Sequence, residues 1–211
     1  MWVYMYMHID KTETLLNFDD NNEVTSKWFR FWRYDKSWVS ASWWNMVVNW
    51  WNNDSGWSIL YDVSNLNKYT FQARVYFSPS SWWGYQSVVC CNWDFGDIAT
   101  TDQMPGHHFN MTTYSWYRWA SWIWNGSAVG SEYSSDWGFS WWYVYEIDYD
   151  NWTYVCTRYN DTNEVTEDSP YTHRVTVSWV GKWNDVWIWL RYWYSSENYN
   201  YADRAKIITY S

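Results

Sequence analysis

The segment Trp141–Asp150, WWYVYEIDYD, constrains this chain more than any other, because an extended backbone divides it into two chemically unlike rows. Side chains alternate across a strand. Trp142, Val144, Glu146, Asp148 and Asp150 then share one face, and Trp141, Tyr143, Tyr145, Ile147 and Tyr149 share the other. Like charges placed side by side raise one another's pKa and resist burial, so the acidic face needs water, cations or a bound polar ligand before it.

Much of the remaining chain alternates in the same way. Met1–Ile9, Lys27–Tyr34, Trp38–Trp51, Trp57–Val63, Tyr69–Phe77, Tyr85–Trp93, Thr112–Trp124, Trp152–Tyr159, Tyr171–Val180, Trp183–Tyr194 and Asp203–Tyr210 read as strands, about a dozen with the first, and no helix is indicated. Asp10–Ser26, Asn52–Gly56, Ser78–Gly84, Ser127–Asp136, Asn160–Ser169 and Ser195–Asn200 read as polar connections, Asn125-Gly126 as a tight hairpin turn, and Gly181-Lys182 as another turn. Asp94–Asn110 lacks periodicity and contains Pro105-Gly106-His107-His108, which marks it as a long loop of functional interest. No fixed-period repeat occurs. The strand number and spacing predict a single all-β domain over 1–211, an antiparallel β-sandwich of the jelly-roll kind.

Composition supports sheets over helical bundles. The chain has 25 Trp and 21 Tyr against five Leu, so aromatic rings must take the place that Leu usually fills. They exceed what one core holds, which leaves rings for the surface. A formal charge of −9, with Lys and Arg scattered singly, argues against nucleic acid as a partner. Apolar runs fall short of the roughly 20 residues of a membrane-crossing helix, so no membrane insertion is expected. The first ten residues lack the basic leader and cleavage site of a secretory signal.

Cys90, Cys91 and Cys156 have no zinc-type spacing; they read as buried thiols, with one disulfide to Cys156 as the alternative. Sequons begin at Asn53, Asn110, Asn125, Asn151 and Asn160 and lean toward an extracellular location. No cofactor and no metal ligand set is expected. The oxygen-rich run Asp19-Asp20-Asn21-Asn22 offers a structural Ca²⁺ site as the alternative to a solvated loop.

Three separated pieces resemble the concanavalin-like jelly rolls, and among them glycoside hydrolase family 16, the laminarinases and lichenases. Tyr69–Val75 resembles that family's YGxFEARIK strand, Glu146-Ile147-Asp148-Tyr149-Asp150 its E-I-D-x-E catalytic strand, and His173–Trp179 its FHxYxxxW segment; Lys206–Tyr210 is similar to its closing strand. The resemblance implies Glu146 as nucleophile, Asp148 as the residue that tunes it, and Asp150 as acid/base, where the family has Glu. The spacing between the pieces departs from the family's. A retaining glycosidase needs its two carboxyls about 5–5.5 Å apart, whereas residues i and i+4 on a strand are ~13 Å apart along the backbone. The plainer alternative makes Asp150-Asn151 a two-residue turn and leaves Glu146 and Asp148 solvated.

Trp142, Trp152, Trp187 and Trp189 are candidates for a platform against pyranose faces, with core packing as the alternative for each ring. His107 and His108 are candidates for ligand contact or for the base, beside a Tyr, of a polysaccharide-lyase-like β-elimination, with a solvated loop pair as the alternative. His173 lies on the row of Val175, Val177 and Trp179 and reads as packed. Together these residues predict recognition of a polysaccharide or other glycan on a concave aromatic and acidic sheet. The alternatives are a retaining β-glucanase using Glu146 and Asp150, and a structural β-protein, natural or designed, whose exposed rings serve self-association.

Overall fold

The computed structural model describes residues 10–32, 39–42, 45–48, 57–77, 86–93, 107–114, 118–124, 128–134, 141–178, 184–192 and 201–211. The described strands are β1 (Lys11–Leu16), β2 (Phe29–Trp32), β3 (Val39–Ser42), β4 (Asn45–Val48), β5 (Trp57–Asp62), β6 (Lys68–Phe77), β7 (Gln86–Trp93) and β8 (His107–Tyr114). They continue as β9 (Arg118–Trp124), β10 (Ala128–Ser134), β11 (Trp141–Asp150), β12 (Thr153–Asn160), β13 (Tyr171–Ser178), β14 (Asp185–Tyr192) and β15 (Tyr201–Tyr210). One short helix, α1 (Asn21–Ser26), stands among them. The strands form two antiparallel sheets: an eight-stranded one ordered β13-β12-β11-β6-β15-β4-β3 with β1 also on β15, and a seven-stranded one ordered β10-β9-β8-β7-β14-β5-β2.

The aromatic row of the acidic strand builds the core. Tyr143, Tyr145, Ile147 and Tyr149 of β11 are buried with Tyr69, Phe71, Ala73 and Val75 of β6, Tyr154 and Cys156 of β12, and Ala205 and Ile207 of β15. Ile59, Val186 and Ile188 of the seven-stranded sheet join the same cluster, so this is the layer between the sheets. Tyr149 connects the strands laterally, its ring 5.5 Å from that of Tyr69 and 4.7 Å from that of Tyr154. Offset rings add to what their buried area contributes. Cys156 is a free, buried thiol, while the side chains of Cys90 and Cys91 lie outside the described residues.

Several sequence expectations are corrected. Asp10–Ser26 is no loop: it holds β1 and α1, anchored by buried Leu16, Phe18 and Val24. The Asp19–Asn22 run starts the helix. The Asp20 carboxylate accepts the Glu23 amide at 2.8 Å, and the Glu23 carboxylate accepts the Asn17 and Asp19 amides at 3.0 and 2.8 Å. The Asp20 side chain thus satisfies an amide that the helix start leaves unpaired, while the Glu23 side chain ties the chain entering the helix to its first turn.

Trp38–Trp51 contains two strands, β3 and β4, paired with each other. Thr112–Trp124 likewise divides between β8 and β9. His107 and His108 belong to β8 rather than to a loop, because β7 and β9 pair with that segment on both sides. Ser127–Asp136 contains β10, whose polar sequence suits the sheet edge it occupies. Cross-strand pairing has overridden weak local patterning in each case. The β11–β12 turn is Asn151-Trp152, with Asp150 still paired to Thr153; φ values of 49° and 71° give the left-handed pair that short hairpins prefer. Met1–Ile9, Asn52–Gly56, Ser78–Gly84, Asn125-Gly126, Gly181-Lys182 and Ser195–Asn200 lie outside the described residues.

Candidate functional site

Because Tyr143, Tyr145 and Ile147 point into the sandwich, alternation sends Glu146, Asp148 and Asp150 to the outer face of the eight-stranded sheet. The register sets a polar residue of β6 beside each: Gln72 by Glu146, Thr70 by Asp148, and Lys68 by Asp150. On the other side, β12 supplies Thr157, Val155 and Thr153, and beyond them β13 supplies Arg174, Thr176 and Ser178. The acidic row is therefore the middle of a polar field spanning several strands.

The three carboxylates occupy three different environments. Glu146 is 6% exposed, with Gln72 Nε2 donating to Oε2 at 2.6 Å and the Tyr159 hydroxyl donating to Oε1 at 2.8 Å. Arg174 steadies that phenol, its Nη2 donating to the Tyr159 oxygen at 3.2 Å and its Nε to Thr157 Oγ1 at 3.0 Å. Asp148 is half-buried and accepts the Thr70 hydroxyl at 2.5 Å. Burial, reinforced by the neighbouring Glu146 charge, pushes its pKa up to about 6. Asp150 is exposed at the strand end and ion-paired with Lys68 at 2.8 Å.

A loop bounds the row at its other end. Arg74 of β6 donates to Asp161 at 2.8 Å and also pairs with Asp203, while Arg204 of β15 donates to the Thr162 carbonyl at 3.0 Å. The segment after β12 is thus tied across β11 to strands on its far side. The Arg74 guanidinium covers the Trp142 ring at 4.1 Å, and Tyr76 packs 5.2 Å from it. Trp142 shares the face of Glu146 but offers a ring already in use on one side.

The other sequence-nominated residues separate from this row. Trp187 belongs to β14 of the seven-stranded sheet and is only 2% exposed, which closes it to a ligand. Trp189 is on the same strand, and His107 and His108 are on β8 of that sheet; their side chains lie outside the described residues, as does that of His173. Trp152 is 56% exposed in the turn that follows Asp150. Among the described residues, no group of three or more His, Cys, Asp and Glu is placed to hold a metal ion. None of the described helices is long and apolar enough to cross a membrane.

Sequence reasoning missed Thr70, Gln72, Lys68, Tyr159 and Arg174. Thr70 and Gln72 were visible as the polar side of an alternating strand, but only the register shows which carboxylates they meet.

The chain matches no protein-family model and no curated protein. Solved structures do match it along nearly its whole length. The CBM2 module of the evolved Dit of Lactobacillus casei BL23 phage J-1 superposes with a TM-score of 0.64 at 8% identity, covering 97% of this chain and 98% of that one. The exoplasmic/lumenal domain of VIP36 in its Ca²⁺/Man2-bound form gives 0.57 at 6% identity, with 93% and 87% covered. Lectin II from Ulex europaeus gives 0.56 at 11% identity, with 95% and 98% covered. At such identities the likeness is one of fold, and the chain has the concanavalin-like antiparallel β-sandwich that these domains share.

Proposed function

We propose that this chain is a glycan-recognition domain and that the outer face of the eight-stranded sheet is its ligand face. The observation that carries the reading is the cross-strand field of Arg174, Tyr159, Glu146, Gln72, Thr70, Asp148, Asp150 and Lys68, which ends at the exposed ring of Trp152. Sugar hydroxyls need donors and acceptors held at fixed positions, and a pyranose face needs an open ring beside them. Support also comes from the neighbours in fold, which include a lectin, a carbohydrate-binding module and a domain solved with mannose-containing ligands. The lumenal origin of one neighbour accords with the extracellular lean of the sequons.

The hydrolase alternative draws less support. Both Glu146 oxygens are engaged and the group is nearly closed to solvent, while Asp150 lies four residues along the strand in an ion pair with Lys68. Screening on a glycan array, with Trp152→Ser and Thr70→Val as variants, tests the recognition reading. Binding by the parent that weakens in both variants is the expected result. No binding to any glycan, together with self-association that depends on exposed rings such as Trp28, would replace recognition with assembly.

A further inference from the structure

The outer-face charges on β1, β6 and β15 are mostly matched. Lys68 pairs with Asp150, Arg74 with Asp161 and Asp203, and Lys11 with Glu13, to which Lys206 also comes within 3.9 Å. Arg204 binds the Thr162 carbonyl. Glu146 and Asp148 stand apart. Their donors are an amide and two hydroxyls, from Gln72, Tyr159 and Thr70, and among the described residues no lysine or arginine reaches either one at ion-pair distance. The two carboxyls are close enough to hydrogen-bond to each other when a proton is present.

The charges facing Asp148 come from every packed element: Glu146 and Asp150 on its own strand, Lys68 on β6, Arg174 on β13, with the Tyr159 and Tyr210 hydroxyls from β12 and β15. Lys68 is largely offset by Asp150. Arg174 is spent on hydroxyls and on the Tyr171 ring, so its charge acts on the pair from a distance. With one shared proton, the pair carries a single negative charge against that positive one. Without the proton, it carries two, side by side and half-buried.

We propose that the ligand face takes uncharged saccharides and that the Glu146–Asp148 pair makes their binding proton-linked, tighter with one shared proton than with none. The inference rests on the reading of this face as the glycan site. An uncharged saccharide laid over the pair strips water from it. Dehydrating two adjacent carboxylates costs far more than dehydrating one carboxylate hydrogen-bonded to one carboxylic acid. By linkage, a ligand that favours the protonated pair raises its affinity for the proton, and the proton raises affinity for the ligand by the same factor. A saccharide carrying a fixed positive charge would show the opposite sign, since it gains from the second charge.

Calorimetric titration between about pH 5 and about pH 8 tests this, with laminaritetraose and mannobiose as uncharged probes and a chitosan tetramer as the cationic one. If ligand binding raises the carboxyl midpoint by about one unit, the uncharged probe binds about tenfold more weakly at the alkaline end. Asp148→Asn is expected to bind with no pH slope. Carbon-13 NMR of the Asp148 carboxyl in the unsubstituted protein gives a reading that does not depend on the variant's folding, and saturation with the saccharide is expected to move its midpoint upward. Binding that is flat with pH, a slope that persists in Asp148→Asn, or a midpoint unmoved by saccharide would overturn the proton linkage and leave glycan recognition standing. Tighter binding of the chitosan tetramer than of either uncharged probe at about pH 5, where its amines are protonated, would overturn the preference for uncharged ligands. Absence of binding to every probe at every pH would remove the ligand face and this inference with it.

Discussion

Tyr159 and Glu146 meet across the β11–β12 seam, the phenol donating to Oε1 at 2.8 Å on the outer side of the sheet. Burial and the neighbouring carboxylate push the Tyr159 hydroxyl up to about 12, so it remains a donor through the physiological range. Tyr159→Phe removes the donor and leaves a buried carboxylate oxygen unsatisfied. The expected loss is about 1–3 kcal/mol of unfolding free energy in urea. An unchanged midpoint would mean that Oε1 finds solvent and that the phenol is incidental.

Stability is expected to depend on pH through Asp148. Its carboxyl holds a proton more tightly in the folded protein, at about 6, than at the ordinary 3.8 of an aspartate. The folded state therefore binds more protons between those values. Its contribution is fully present below about pH 4 and is lost as pH rises through about 6, for a total of about 3 kcal/mol. Urea midpoints measured on either side of this window should fall on going alkaline, and Asp148→Asn should flatten that segment of the curve. Equal slopes in parent and variant would assign the dependence to another group.

The β11 alternation was legible because aromatic and acidic residues differ so sharply that one face could only be core. Strands that pair on both sides along their length, such as β6 and β11, showed the same clarity. Legibility failed where long-range pairing decided the outcome. The polar β10 becomes a strand only by lying against β9, and His107-His108 is extended only because β7 and β9 flank it. The helix at Asn21–Ser26 was hidden for another reason: an Asp-Asn run reads as loop until Asp20 is seen to cap the Glu23 amide and Glu23 to hold the Asn17 and Asp19 amides before it. At the site, the sequence named the three carboxylates but not their inequality. Periodicity assigns a face; only register assigns Gln72 to Glu146 and Lys68 to Asp150.

Two exposed tryptophans sit where glycine is ordinarily found. Trp152 has φ 71° and Trp28 has φ 67°, both left-handed, and they are 56% and 79% exposed. For a bulky residue that conformation costs roughly 1–2 kcal/mol. Trp28→Gly and Trp152→Gly are each expected to raise stability by about 1 kcal/mol, since glycine's greater freedom when unfolded offsets part of the relief. The pair separates strain from function: Trp152→Gly should weaken glycan binding, whereas Trp28→Gly should not. Equal effects of both on binding would remove Trp152 from the ligand face.

Arg74 carries more than its charge. Its guanidinium bridges Asp161 and Asp203 while stacking on Trp142, so one side chain joins the loop after β12, the start of β15 and a ring on β11. With Arg74 16% exposed, Arg74→Met leaves Asp203 without its strongest partner in a largely dehydrated setting, at an expected cost of roughly 2–4 kcal/mol. Amide exchange in 161–170 should accelerate beyond what the global loss explains, because the loop loses its tether to β6. Arg74→Lys should recover little, as an ammonium cannot serve two carboxylates in a planar fork and lie flat on an indole together. Full recovery by lysine would reduce the arrangement to simple charge pairing. Loop exchange that matches global unfolding would instead show that Arg204, through the Thr162 carbonyl, holds the loop alone.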